Sequence, residues 1–261
     1  MADEPIRLGG MALANGVLVH GPSSWACAIR RPDGRLEVAA EHKRYRASEV
    51  TNPLLRGPAR LAEAIALLPM AKRRLPGAKL PFERPRVLTA MIAGAAVTQI
   101  ARGSKSLSPA AREIVAGIAS LAPAAVALRS SELAAYHGAE HIAIGTYEHG
   151  EARDKEHERC GSHLVGPLLG TLAIGNFFAS RAPRQFRLAA RGLASVAAVA
   201  VSTEIFSWMV RNPDHPLSKA LAKPGHELQH RLATAEPTPD QLEVAEAALA
   251  ACLALENGDS H

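Results

Sequence analysis

Four apolar stretches constrain this chain most: Val87–Ala101, Ile114–Leu128, Leu164–Ala179 and Gly192–Val210. A helix needs about 20 apolar residues, within a range of roughly 17–25, to cross a bilayer. The first two stretches fall a little short and the third is borderline. The fourth is long enough but carries Glu204. By length alone, each is either a thin span or a buried core helix. Flanking charge does not orient them. Arg181, Arg184, Arg187 and Arg191 share a side with Arg102, Lys105 and Arg112, but Lys72, Arg73, Arg74, Lys79, Arg84 and Arg86 lie opposite.

The net charge of +5 suits an anionic membrane surface as readily as nucleic acid. No arginine-rich run has aromatics interleaved for base stacking, so no nucleic acid is expected as a partner, and membrane lipid is. Cys27, Cys160 and Cys252 are odd in number and far apart, which argues against a disulfide framework. The polar start, Met-Ala-Asp-Glu-Pro, reads as no cleavable signal peptide.

Residues 9–45 read as β, with two short strands around Pro32-Asp33-Gly34, where Pro fixes φ and Gly accepts a positive one. Residues 53–75 read as a helix with an apolar face of Leu54, Leu55, Leu61, Ile65 and Leu68. The Pro-rich stretches 73–86 and 211–225 read as connectors. Thr238-Pro239-Asp240 starts a terminal helix. The expected fold class is mainly α, with an N-terminal β-hairpin module and a bundle of about four apolar helices, membrane-embedded or membrane-associated. The units are 1–50, 51–86, 87–210 (with the polar segment 129–163 inside it) and 211–261.

The chemistry concentrates in "AYHGAEHIAIGTYEHG". On a helix capped at Ser131, His137 and His141 project from one face, one turn apart, and can share a metal. Glu140 beside them can serve as a general base, as in H-x-x-E-H sites. Glu148 lies about 10 Å further along the axis, which makes it an orienting or surface group. "HERCGSH" offers His157 and Cys160 as further ligands, with His163 as a ligand or interfacial residue. Glu204, in an apolar helix, requires a partner, either a metal or an arginine. His226 and His230, four apart, read as a solvated helix face or an outer pair. His149, His215 and His261 read as loop or tail residues. The metal these donors suit is divalent, with Zn²⁺ first.

With these residues in view, the chain resembles the YqhQ-like family (domain of unknown function 1385). The resemblance rests on "GGMALANGVLVHGP", "NPLLRGPARLAEAI", "YHGAEH", "HERCG" and "LATAEPTPDQLEVAEAAL", in that order. It implies a bacterial, multi-pass protein of the cytoplasmic membrane, of a kind described as a metal-dependent enzyme with no reaction assigned. It supports Tyr136, His137, Glu140, His141, Glu148, His157, Cys160, Gly161 and Glu204 as matching positions. The chain departs from the family pattern at Asn15, where an acidic residue is usual, and at His20, where a basic one is. The functional expectation is a metal-dependent hydrolase. The alternative is a non-catalytic assembly or scaffold protein whose polar cluster is structural.

Overall fold

The computed structural model describes residues 5–258. Four strands, β1 (Gly9–Leu13), β2 (Gly16–His20), β3 (Ser24–Arg30) and β4 (Leu36–His42), form an antiparallel sheet in the order β1-β2-β3-β4. The expected hairpin is β3–β4, and Gly34 takes the positive φ of its turn, at 83°. A second hairpin, β1–β2, turns at Asn15. Its side-chain amide donates to the Arg30 and Gly77 carbonyls and accepts from the Lys79 amide.

Period-two alternation gives the sheet two apolar faces. Val17, Val19, Ala26 and Ala28 point one way; Leu18, Trp25, Cys27 and Ile29 point the other. The first face packs on α4 (Ser131–His149) and α8 (Pro239–Glu256), through Ala139, Ala143, Ile144, Val244, Ala248 and Cys252. The second packs on the end of α1 (Pro53–Arg74) and the following segment, through Leu67, Ala71, Leu75 and Leu80. Small alanines let α4 and α8 lie close to the sheet, and this closeness positions the site.

Four further helices form two hairpins. These are α2 (Pro85–Gly103) with α3 (Pro109–Leu128), and α5 (Val165–Ser180) with α6 (Arg187–Arg211). Among the described residues, three segments are long and apolar enough to cross a membrane: Ala111–Leu128, Gly161–Ser180 and Arg184–Arg211. The stretch Val87–Ala101 forms α2 but is not a fourth, because reaching a spanning length within this helix takes in Arg86 and Arg102 at its ends. Only 11% of the first segment and 22% of each of the others is buried within the chain. Ile114, Ile118, Ile174, Phe178, Leu188 and Leu193 are all more than half exposed.

Two expectations are corrected. Of the five residues read as the apolar face of α1, Leu68 alone packs against the core beneath the sheet. Leu54, Leu55, Leu61 and Ile65 are exposed, while Gly57 abuts Thr203 of α6 and Leu67 and Ala71 enter the core. Part of the stretch read as a connector from 211 to 225 is helical, α7 (Pro216–Leu228). Pro216 sits at its first turn, where the missing N–H breaks no helical bond.

Behind the sheet, Lys43 and Glu63 form a buried ion pair at 2.5 Å. The Lys43 ammonium also donates to the Gly21 carbonyl at 2.6 Å and to His20 Nδ1 at 3.2 Å. An ammonium can only donate, so His20 carries its proton on Nε2. Burial, then Lys43, hold the His20 imidazolium down to about 4, with Glu63 opposing. The unfolded chain takes up this proton near 6.5 and the folded chain only near 4, so stability present above pH 6.5 is lost as pH falls through that window. The expected His20 share is about 2–3 kcal/mol by pH 4. Urea denaturation of wild type and His20→Asn at pH 7.5 and 4.5 measures it, and the variant should show the smaller pH dependence.

Candidate metal centre

α4 begins after Ser130, one residue before the expected cap, and ends at Gly150 in the left-handed region, with φ of 71°. On it His137, Glu140 and His141 face β1, and the two imidazole centroids lie 4.3 Å apart. His137 Nδ1 donates to the Ala233 carbonyl at 2.8 Å, and His141 Nδ1 donates to the Lys155 carbonyl at 2.6 Å. A carbonyl only accepts, so both rings keep a lone pair on Nε2. Orienting bonds of this kind are what metal-binding histidines make with their second nitrogen.

The chain returns to this face through residues 151–164. Cys160 Sγ lies 3.6 Å from His137 Nε2 and accepts from the Ser162 amide at 3.5 Å. One donor atom from each of His137, His141 and Cys160 lies within 4.8 Å of the other two. The clamp on this segment is Gln229, which is 1% exposed. Its Oε1 accepts from the His157 amide at 2.9 Å and its Nε2 donates to Ser162 Oγ at 2.7 Å. Gln229 opens a short π-helical turn, Gln229–Ala233, whose last carbonyl orients His137. Gly138 lets the following chain approach, since a Cβ there would strike the Ala235 carbonyl.

Glu140 Oε2 stands 3.6 Å from His141 Nε2 and 3.9 Å from His137 Nε2. Burial pushes this carboxyl up to about 7, against the pull of His137. Burial holds His141 down to about 3 and pushes the Cys160 thiol up to about 11. The His141 ring is therefore neutral, and the thiol needs a neighbouring cation to become a thiolate.

A cavity of about 190 Å³ adjoins these donors, with Gly9, Gly10 and His20 on its other wall. A Cβ on Gly10 would collide with the Glu140 carboxylate, and one on Gly9 would press on His20 Nε2. Gly10→Ala is expected to cost about 1–3 kcal/mol, as overpacking does, while displacing Glu140. Thermal unfolding checks this; a variant as stable as wild type would contradict the close approach.

Comparison with known proteins converges on this region. Residues 129–255 match the family model described as "Protein of unknown function (DUF1385)". The chain is also 26% identical to the "Uncharacterized protein YqhQ" of Bacillus subtilis (strain 168) over 291 residues, covering 92% of this chain and 90% of that one. The chain is thus similar to YqhQ over most of its length and to the DUF1385 model over residues 129–255. No solved structure matches it.

The DUF1385 region holds α4 to α8, and within it the other sequence candidates separate. His157 is near the donors, its ring 5.6 Å from that of His141, but its Nε2 is engaged by Glu148 at 3.2 Å. Glu148, whose side chain is 6% exposed, also pairs with Arg159 and so orients the loop. His163 is buried and meets Gln229 Nε2 at 3.3 Å. Tyr136 is a core residue against α8. Glu204 stands apart from the three-donor group; its partner is the Arg56 guanidinium, with Nε 2.5 Å from Oε1. His226 and His230 are exposed and stack at 6.4 Å, both beside Glu156. His149 bonds back to the Gly145 carbonyl, His215 caps α7, and His261 lies outside the described residues.

Three contributors escaped the sequence reading. Gly9-Gly10 stood only as the start of a motif that carries the resemblance, but it is the site wall. His20 registered only as a departure from the family pattern. Gln229 carried no local signal.

Proposed function

We propose that this YqhQ-like chain is a bacterial cytoplasmic-membrane protein with one divalent-metal centre, and that it acts as a metal-dependent hydrolase. The observation that carries the reading is the convergence of one donor atom each from His137, His141 and Cys160, with both imidazoles orienting their Nδ1 away to backbone carbonyls. Two nitrogens and a sulfur suit Zn²⁺, and three protein ligands leave one position open, as catalytic zinc sites do. A metal held there supplies Lewis acidity toward a carbonyl or phosphoryl oxygen.

The chain's own groups do the rest. Glu140 Oε2 takes a proton from the attacking water and returns it to the leaving group, a task suited to a carboxyl near 7. The Ala233 and Lys155 carbonyls keep the imidazoles aimed. His20 presents an N–H donor at the opposite wall of the cavity. The three long apolar helices, with their exposed faces, support placement in the bilayer.

Metal analysis of the purified chain tests the centre. One equivalent of metal in wild type, lost in His137→Ala/His141→Ala, is the expected result; a metal-free wild type sinks the proposal. One observation favours a second reading. Glu140 lies close enough to both imidazoles to be a fourth ligand, closing the site into a structural one in a non-catalytic assembly protein. Glu140→Gln separates them: a general base is dispensable for metal retention, whereas a ligand is not.

A further inference from the structure

Away from the metal centre, the loop ends of the two helical hairpins gather three arginines around one carboxylate. α3 starts there and runs about 30 Å towards α4. Arg102 closes α2, and Arg187 and Arg191 open α6. Arg102 Nη2 donates to Glu113 of α3 at 3.0 Å, and the Glu113 side chain is only 9% exposed. Arg191 lies within electrostatic reach of Arg102, Arg187 and Glu113. The Nε atoms of Arg102, Arg187 and Arg191 are buried, and among the described residues they have no hydrogen-bond partner. Buried donors are seldom left unmatched, because each then loses its hydration without replacement. Positive charge is also in excess, so a neutral partner such as water would satisfy the donors without balancing the cluster.

Beside the arginines a cavity of about 360 Å³ runs between α2, α3, α5 and α6. Its walls include Ile114, Ile118, Leu169 and Leu172, and Arg102 and Glu113 line it too. Ile114 and Ile118 belong to the exposed apolar belt, so the slot is continuous with the surface that would meet lipid. A cationic end joined to an apolar slot is complementary to an anionic head group joined to a hydrocarbon chain. Basic pockets between membrane helices bind such head groups. Guanidinium forks match phosphate oxygens in geometry and charge.

We propose that Arg102, Arg187 and Arg191 hold the phosphate of an anionic phospholipid, with one of its acyl chains in the slot between the two hairpins. This rests on the membrane placement proposed above and is independent of the metal centre. Native mass spectrometry of the full chain, released from detergent micelles, tests it with phosphatidylglycerol and phosphatidylcholine of identical chains, and with inorganic phosphate. Wild type should retain one phosphatidylglycerol at least tenfold more tightly than phosphatidylcholine. Each arginine near an anionic head group is worth about fivefold. Arg102→Gln/Arg191→Gln should therefore lose most of that preference, while Arg35→Gln, at the exposed hairpin tip, should keep it. Equal retention of the two lipids by wild type overturns the assignment without recourse to a variant. So does unchanged phosphatidylglycerol binding in the double variant, or its displacement by equimolar inorganic phosphate. Carbonate extraction keeps the failures apart. A chain released from membranes refutes the placement, whereas a chain held there without lipid preference refutes this inference alone.

Discussion

Glu63→Ala is expected to destabilise the protein by about 3–5 kcal/mol, the cost of stranding a buried charge. Lys43 is the charge left behind: its side chain is 3% exposed, and Glu63, at 8%, is its counter-ion. Glu63 also accepts from the Ala47 amide at 2.6 Å, so the same change orphans a backbone donor. The loss would reach the candidate site, because Lys43 fixes the His20 tautomer and His20 lines the cavity. Replacing both charges, as Lys43→Met/Glu63→Leu, should recover most of the stability while releasing His20. Urea denaturation of the two variants beside wild type decides this. A single variant within 1 kcal/mol of wild type would show that Lys43 reaches solvent when its partner goes.

The second large effect is expected at the metal centre. His141→Ala should weaken Zn²⁺ binding by roughly 10²–10⁴-fold, the share of one ligand in a site worth about 10–16 kcal/mol. His141 is the deepest of the three donors, at 3% exposure, so water replaces its nitrogen poorly. Gln229→Ala should cost less, about 10–100-fold, because it removes the clamp that seats Cys160 rather than a ligand. Competition titrations against a chromophoric chelator measure both. Equal losses in the two variants would mean that the loop's position matters as much as the ligand itself.

Much of this site was legible because its core is local. The pairing of His137 with His141 follows from helical periodicity alone, and so does the position of Glu140 beside them. The exclusion of Glu148 from the donor set followed from rise per residue. The choice between His157 and Cys160 was not legible. It depends on a loop path set by Gln229, whose contacts span more than sixty residues of sequence. Glu204 needed a partner, and the sequence left metal and arginine open; Arg56 lies 148 residues away.

The fold divides in the same way. The β3–β4 turn, the apolar helices and the terminal helix each have a local signal. The β1–β2 hairpin has only Asn15-Gly16, and its partners at Gly77 and Lys79 come from beyond the sheet. Gly9-Gly10 misleads for a related reason. In a strand, glycine can mark where another element comes close, and that element, α4, follows more than a hundred residues later.

The central claim is the ligand set, and X-ray absorption at the zinc edge on the full chain loaded with one equivalent of Zn²⁺ tests it most directly. The account predicts two imidazole nitrogens at about 2.0–2.1 Å and one sulfur at about 2.3 Å, with the sulfur shell absent in Cys160→Ser. A wild-type spectrum with oxygen neighbours and no sulfur would contradict it.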